Sequence, residues 1–192
     1  MIFSHILSSS ILAGTGIGVF WRFFQQVPLF NRLLWGFFFL TISLTAIIGV
    51  IHYTGTESLE PLHRSMRILA DSLGVICAVI ATWGLLNRIS YGQLGFLSTV
   101  VSGVVLFVLL LLPEVRLFTP IVPSLGILVL MLMAVYALLQ RNKRGLWIVL
   151  AAMMMGLATK APAFTNVMSP IDFDHYANAL ALWFFGKSAQ PR

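Results

Sequence analysis

Charged residues are scarce in this sequence. Of its 192 residues, 9% are charged and 59% are hydrophobic, whereas about a quarter of the residues of a soluble domain are charged. So few charges cannot cover a surface that faces water, which excludes an ordinary soluble enzyme and indicates lipid as the main solvent. The alternating pattern of barrel strands is also missing, so the long apolar runs predict transmembrane helices.

Cysteine is almost absent as well. Cys77 is the single cysteine, so it forms no disulfide within the chain, and its place in an apolar run is typical of a small buried side chain. No basic residue precedes the first apolar run, since the first one is Arg22. A cleaved signal peptide is therefore not expected, and we expect the first span to be retained.

The sequence does contain seven apolar runs, most of them close to the length of about 20 residues that a helix needs to cross a bilayer. They predict an all-α membrane protein with one domain, residues 1–192, and seven transmembrane helices. Pro120 and Pro123 are expected to kink the fifth helix, and the tryptophans fall mainly toward span ends, as in an aromatic belt. The predicted spans lie near residues 5–24, 33–51, 66–86, 94–112, 117–139, 146–162 and 171–185.

Basic residues are distributed unevenly over the two sides of these spans. Because cytoplasmic loops carry the excess of Lys and Arg, we predict an outer N-terminus and a cytoplasmic C-terminus, in a bacterial inner membrane or its equivalent. The basic residues lie mostly singly at span ends, so we expect membrane lipids as partners and no nucleic acid. The predicted cytoplasmic side has Arg22, Arg32, Arg88, Arg141, Lys143, Arg144, Lys187 and Arg192, and the outer side has Arg64, Arg67, Arg116 and Lys160.

All four histidines fall on the predicted outer side. Imidazole is the commonest metal ligand, and a zinc site needs three or four ligands that converge from different helices. We therefore predict a metal site, with zinc as the candidate ion, made by His52, His63 and His175. His5 is left out because it lies near the chain terminus. The alternatives are that the histidines bind haem or a pigment, or that they simply suit the membrane interface.

Four further polar residues are candidates for supporting such a site or contacting a substrate: Asp71, Asp172, Asp174 and Asn178. Asp71 lies inside the third span, where an ionised carboxylate is a functional candidate, but an ion pair with Arg67 four residues earlier explains it equally well. Asp172 is favoured as part of a helix cap, because Ser169 suits the N-cap and Pro170 the first helical position.

Three short segments resemble the CREST superfamily, which includes alkaline ceramidases and progestin/adipoQ receptors, and they resemble uncharacterised bacterial relatives of it more closely. They are Arg32-Leu33-Leu34-Trp35-Gly36 opening the second helix, Gly49-Val50-Ile51-His52 closing it, and Asp172-Phe173-Asp174-His175-Tyr176-Ala177-Asn178 opening the seventh. The resemblance implies a seven-helix fold with zinc bound by histidines of helices two and seven, and lipid amide hydrolysis as the reaction class.

The sequence departs from that family at several positions. Catalytic members pair two histidines one turn apart in helix seven, whereas Ile171 and Ala179 flank His175 at that spacing. Ile48 stands where those members place a serine in helix two. Asp71 corresponds to their aspartate of helix three only with a longer spacing from His52, and His63 is the residue that could take its place.

Two functions therefore stay open at the level of sequence. One is a CREST-like membrane protein with an outer-face histidine metal site, which as an enzyme would hydrolyse lipid amides. The other is a non-enzymatic subunit that packs with other membrane-protein subunits in a larger complex and whose histidines bind a pigment, a haem or nothing.

Overall fold

The apolar runs fold as α-helices. The computed structural model describes residues 2–166 and 168–190, leaving aside the side chains of Glu57 and Arg116. Within these residues there are seven long helices and no strand. The helices are α1 (Ile2–Phe23), α2 (Leu29–Tyr53), α3 (Glu60–Asn87), α4 (Gln93–Leu111), α5 (Ile121–Leu139), α6 (Arg144–Ala158) and α7 (Pro170–Ala189), with 3₁₀ turns at Glu57–Leu59, Arg116–Phe118 and Ala161–Phe164.

Five of the helices, α1 to α5, are long and apolar enough to cross a membrane. The α6 helix is apolar but shorter, and α7 is more polar, with Asp172 and Lys187 in its first and last turns. The all-helical, membrane-protein character predicted from composition is thus confirmed, and the protein has the helices of an integral membrane protein.

The α3 helix begins earlier than its hydropathy predicts. It starts at Glu60, six residues before the expected start, because its first turns are strongly amphipathic and a search for apolar runs passes over them. Between Glu60–Leu69 and Val75–Asn87, the segment Ala70–Gly74 is a π-helical turn. Such turns are rare in proteins, and those that occur are often at functional sites.

The prolines of the fifth span do not interrupt its helix. The α5 helix begins at Ile121, with Pro120 as its N-cap, and Pro123 falls in the first turn. Backbone N–H groups at these positions have no partner within a helix, so proline removes no hydrogen bond there. The helix therefore begins after Pro120, later than predicted, and Pro120 is not a kink inside it.

Six helices close into a ring, and one packs outside it. Around the ring, α1 packs against α2, then α2 against α3, α3 against α5, α5 against α6, α6 against α7, and α7 against α1. The α4 helix packs on α3 and α2. Its Gly103 lies so close to the π-helical turn that an added Cβ would be 2.9 Å from the Leu73 Cα, so a glycine is needed for this close approach.

Consecutive helices run in opposite directions, which gives the bundle two distinct ends. The histidine end comprises the starts of α1, α3 and α7 and the end of α2. The basic end comprises the ends of α1, α3 and α7 and the start of α2.

Aromatic side chains fill the core at the basic end. Trp35 is 0% exposed, and its ring centroid lies 5.0 Å from that of Phe24 and 5.4 Å from that of Phe185. The aromatic-belt prediction is therefore wrong for Trp35, whereas Trp21 is 73% exposed. Tryptophans near a span end can face either the core or the lipid, and position along the chain does not separate the two.

Side-chain amides close the loops of the basic end. Asn31 Nδ2 donates to the Ile89 carbonyl at 2.7 Å, and Asn31 Oδ1 accepts from the Tyr91 N–H at 2.9 Å. These two bonds join the start of α2 to the loop after α3. Burial raises the pKa of the Tyr91 phenol, which donates to the Ile80 carbonyl as a neutral group.

Candidate functional site

The four histidines lie at the same end of the bundle, in two groups. The carboxylate lobe lies between α1 and α7 and comprises Ser4, His5, Ser8, Ser9, Asp172 and His175. The stacked lobe lies between α2 and α3 and comprises His52, Glu60 and His63.

Asp172 is the centre of the carboxylate lobe. It is buried, and it accepts hydrogen bonds from Ser4 Oγ, from Ser8 Oγ at 2.7 Å and from His5 Nδ1 at 2.9 Å. All three donors lie on α1, so the carboxylate of α7 ties two helices together. A buried carboxylate requires such compensation, because a carboxylate without donors is costly away from water.

His175 is connected to the same carboxylate through a hydroxyl. Its Nδ1 lies 3.0 Å from Ser8 Oγ and 3.2 Å from Ser9 Oγ. Ser8 Oγ lies 2.7 Å from Asp172 Oδ1 and 3.2 Å from the His5 carbonyl. With its one proton on the nearer, charged acceptor, Ser8 Oγ accepts from the Nδ1–H of His175. In both His5 and His175 the Nδ1 is thereby engaged, and Nε2 is the nitrogen left for a ligand.

Sequence reasoning did not find the serines of α1, and it assigned Asp172 to the wrong partner. Ser169 is the N-cap of α7, but its side chain makes no capping bond, and Asp172 bonds across to α1. The missed signal is a polar stripe in an apolar helix: Ser8 lies four residues after Ser4 and three after His5, which places it on the same face as both. His5 is likewise held in this network, although it was left out of the predicted ligands because it lies near the chain terminus.

The stacked lobe brings together two of the predicted metal ligands. The rings of His52 and His63 are stacked with centroids 5.9 Å apart, and His52 Nε2 lies 3.1 Å from Glu60 Oε2. Gly49 makes room for this contact, since an added Cβ there would lie 3.3 Å from His63 Nε2. His52 Nδ1 is buried and has no hydrogen-bond partner among the described residues.

Tyr53 lies between the two lobes. Its ring centroid is 5.3 Å from that of His5, 5.4 Å from that of His52 and 6.4 Å from that of His63. The three predicted ligands therefore share one end of the bundle, with His52 and His63 in contact and His175 in the neighbouring lobe.

A second polar group lies deeper, between α3 and α7. Asp71 is part of the π-helical turn, and Asp174 accepts a hydrogen bond from Asn178 Nδ2 at 3.1 Å. Arg67 precedes Asp71 by four residues on α3, but the two form no salt bridge within the described part of the chain, so the ion pair considered from their spacing is not formed.

The side chains at this end are of the types that bind metal ions, but they are too far apart to share one ion. Imidazoles oriented through Nδ1 by a carboxylate or hydroxyl are typical of metal sites, and the buried His52 Nδ1 lacks a partner. However, no set of three or more His, Cys, Asp or Glu side chains in residues 2–166 and 168–190 is grouped closely enough to hold an ion. Coordination by both lobes would require their side chains to move together.

A comparison with protein families places the chain in a family. The family model of DUF6962, described as a family of unknown function, matches residues 4–191. The chain belongs to this family. Its match includes every histidine and carboxylate of both lobes. No curated protein and no solved structure matches the chain.

Proposed function

We propose that this DUF6962 protein is a seven-span, CREST-like membrane protein that binds a metal ion at its histidine end, on the outer side of the membrane. The proposal is supported by the orientation of His5 and His175 through one buried carboxylate, Asp172. The proposed ligands are His52, His63 and His175, and the proposed ion is zinc. Asp71, Asp174 and Asn178 are proposed to contact a substrate or to support the ligands.

The outer location follows from the distribution of basic residues, which favours a cytoplasmic basic end. The resemblance to CREST proteins implies hydrolysis of a lipid amide. A zinc ion held at this end would polarise a carbonyl group and activate water for such a reaction. The part of Asp172 and Ser8 is to hold His5 and His175 in one tautomer, and the position of this end keeps the site at the depth of lipid headgroups.

The experiment is the metal content per chain after purification without chelator. We expect about one zinc per wild-type chain, lost in His52→Ala, His63→Ala and His175→Ala, because a structural or catalytic zinc keeps at least three protein ligands. Glu114→Gln, which changes an exposed carboxylate elsewhere, is the control and should keep the metal. Asp172→Asn should reduce the metal content by weakening the orientation of the imidazoles, by about tenfold or more in affinity.

His5→Ala decides which histidines complete the site. Retention of zinc in this variant supports the three predicted ligands, whereas loss of zinc adds His5 to the proposed ligands. A wild-type chain without metal, and without a change in stability on adding zinc, would falsify the metal proposal.

A visible absorption band without zinc would support the second candidate, a haem- or pigment-binding subunit of a larger membrane complex. The observation that favours this candidate is the position of α4. This helix lies outside the ring and has a broad apolar face, with Val101, Val105 and Val108 each more than half exposed, where another membrane subunit could pack.

A further inference from the structure

A small cavity of about 160 Å³ lies at the basic end, where α1 and α7 finish. It is lined by Arg22, Phe23, Gln25, Gln26 and Gln190. Its walls thus combine one guanidinium with three side-chain amides, which are hydrogen-bond donors without a negative charge. This cavity is at the opposite end of the bundle from the histidines, and the inference drawn from it does not depend on the proposed metal site.

Two cations are held beside the cavity by aromatic rings. Arg22 Cζ lies 5.8 Å and Lys187 Nζ 5.6 Å from the ring centroid of Phe23, and Lys187 Nζ lies 5.3 Å from that of Trp183. Phe23 is buried, so it fixes both cations at one place. A third cation is close, because Arg32 Nη1 donates to the Gln25 carbonyl at 3.4 Å.

These cations have no acidic partner in the described part of the chain. Neither of its salt bridges involves Arg22, Arg32 or Lys187. The reason is visible in the sequence, because the acidic residues lie at or toward the other end of the bundle. They are Glu57, Glu60, Asp71, Glu114, Asp172 and Asp174.

Electrostatics at this cavity favour an anion. The ends of α1 and α7 each contribute roughly half a negative charge through their free carbonyls. Three full positive charges outweigh these two partial charges. The cavity lies at the end of the proposed membrane-spanning helices, near exposed Trp21. This is the depth of lipid headgroups, which the anion must therefore reach.

We propose that this cavity binds the phosphate headgroup of an anionic membrane lipid. Arg22 and Lys187 pair with the phosphate, and the amides of Gln25, Gln26 and Gln190 donate to its remaining oxygens. The headgroup then links the ends of α1 and α7. Free phosphate offers the same oxygens, but it lacks the acyl chains that place a headgroup at this depth.

The test is native mass spectrometry of the purified, delipidated chain in detergent, titrated with phosphatidylglycerol or with phosphatidylcholine of the same acyl chains. We expect tighter binding of phosphatidylglycerol. The double variant Arg22→Gln/Lys187→Gln should bind it roughly 30-fold more weakly, since each cation near a membrane surface contributes about a factor of five. The matched control is Arg141→Gln/Lys143→Gln, which removes two charges from the same end but away from the cavity, and which should bind like wild type.

Each other outcome is informative. Equal losses in both double variants would show diffuse attraction and overturn the site, as would equal binding of the two lipids. Displacement of the lipid by an equal concentration of inorganic phosphate would overturn the choice of a lipid. The swap Arg22→Lys/Lys187→Arg keeps both charges and should retain binding, which separates the loss of charge from a loss of folding.

Discussion

The two ends of the bundle use polar side chains in different ways. At the histidine end side chains bond to side chains across helices, as Asp172 does with His5 and Ser8. At the basic end amides bond to backbone groups of loops, as Asn31 does with Ile89 and Tyr91. Every residue type offers a backbone carbonyl as a partner, whereas a side-chain partner requires a particular residue type at that position.

The polar side chains of the basic end have a structural role in closing loops, whereas those of the histidine end are the candidates for function. Side-chain amides that bond to the backbone close the loops at the basic end, and an aromatic core supports them. The histidine end concentrates titratable groups in a protein that otherwise has few of them, which costs stability unless every group is compensated. A chain that only needed a stable bundle would not require this concentration, which supports the proposed site at the histidine end.

The largest effect is expected from the core of the basic end. Replacing Trp35, which is fully buried, with alanine leaves a large cavity and should lower the free energy of unfolding by about 3 to 5 kcal/mol. Trp21→Ala is the control, because Trp21 is 73% exposed and its loss should cost about 1 kcal/mol or less. Unfolding in detergent followed by far-UV circular dichroism measures both. Equal losses would contradict the burial of Trp35 in the core.

The next effect is expected at the histidine end. Asp172→Asn removes the charged acceptor of three donors on α1 and should lower the free energy of unfolding by about 3 kcal/mol, since hydrogen bonds to charged groups are the stronger ones. Asp174→Asn is the matched control two residues later. Asp174 bonds to Asn178 within its own helix, so its loss should cost about 1 kcal/mol or less. The same unfolding measurement compares the two, and a smaller loss for Asp172 would show that α1 and α7 are held by packing alone.

The all-helical class and the seven long helices could be predicted from the sequence, because apolar runs of this length form helices in lipid, and five of the seven are long and apolar enough to cross a membrane. The common end of the histidines was also predictable, since alternate spans point in opposite directions. The partners within that end were not. Asp172 fits a helix cap and a tie to α1 equally well by position, and the rotation of α7 about its axis decides between them. The π-helical turn around Asp71 gave no sequence signal, because hydropathy does not report hydrogen-bond register.

A smaller effect is expected from the neutral tie at the basic end. Asn31→Ala removes one donor and one acceptor from the loop after α3 and should cost about 2 kcal/mol, near 1 kcal/mol for each hydrogen bond. Asn87→Ala is the control, because exposed Asn87 bonds only to the Trp83 carbonyl of its own helix. A loss for Asn31→Ala that exceeds that of Asp172→Asn would reverse the comparison between the two ends.

The smallest effect is expected in the stacked lobe. Glu60 is 62% exposed at its side chain and faces His52 at 3.1 Å, and an exposed ion pair contributes at most about 1 kcal/mol. Glu60→Gln should therefore change the free energy of unfolding by about 0.5 kcal/mol or less, as should the control Glu114→Gln, and the unfolding curves of both variants measure this. Because Tyr53 lies between the lobes, a loss for Glu60→Gln as large as that for Asp172→Asn would mean that the two lobes act as one network. That result would strengthen the case for a single site at the histidine end, whereas the small expected effect leaves His52 free to exchange Glu60 for another ligand at little cost.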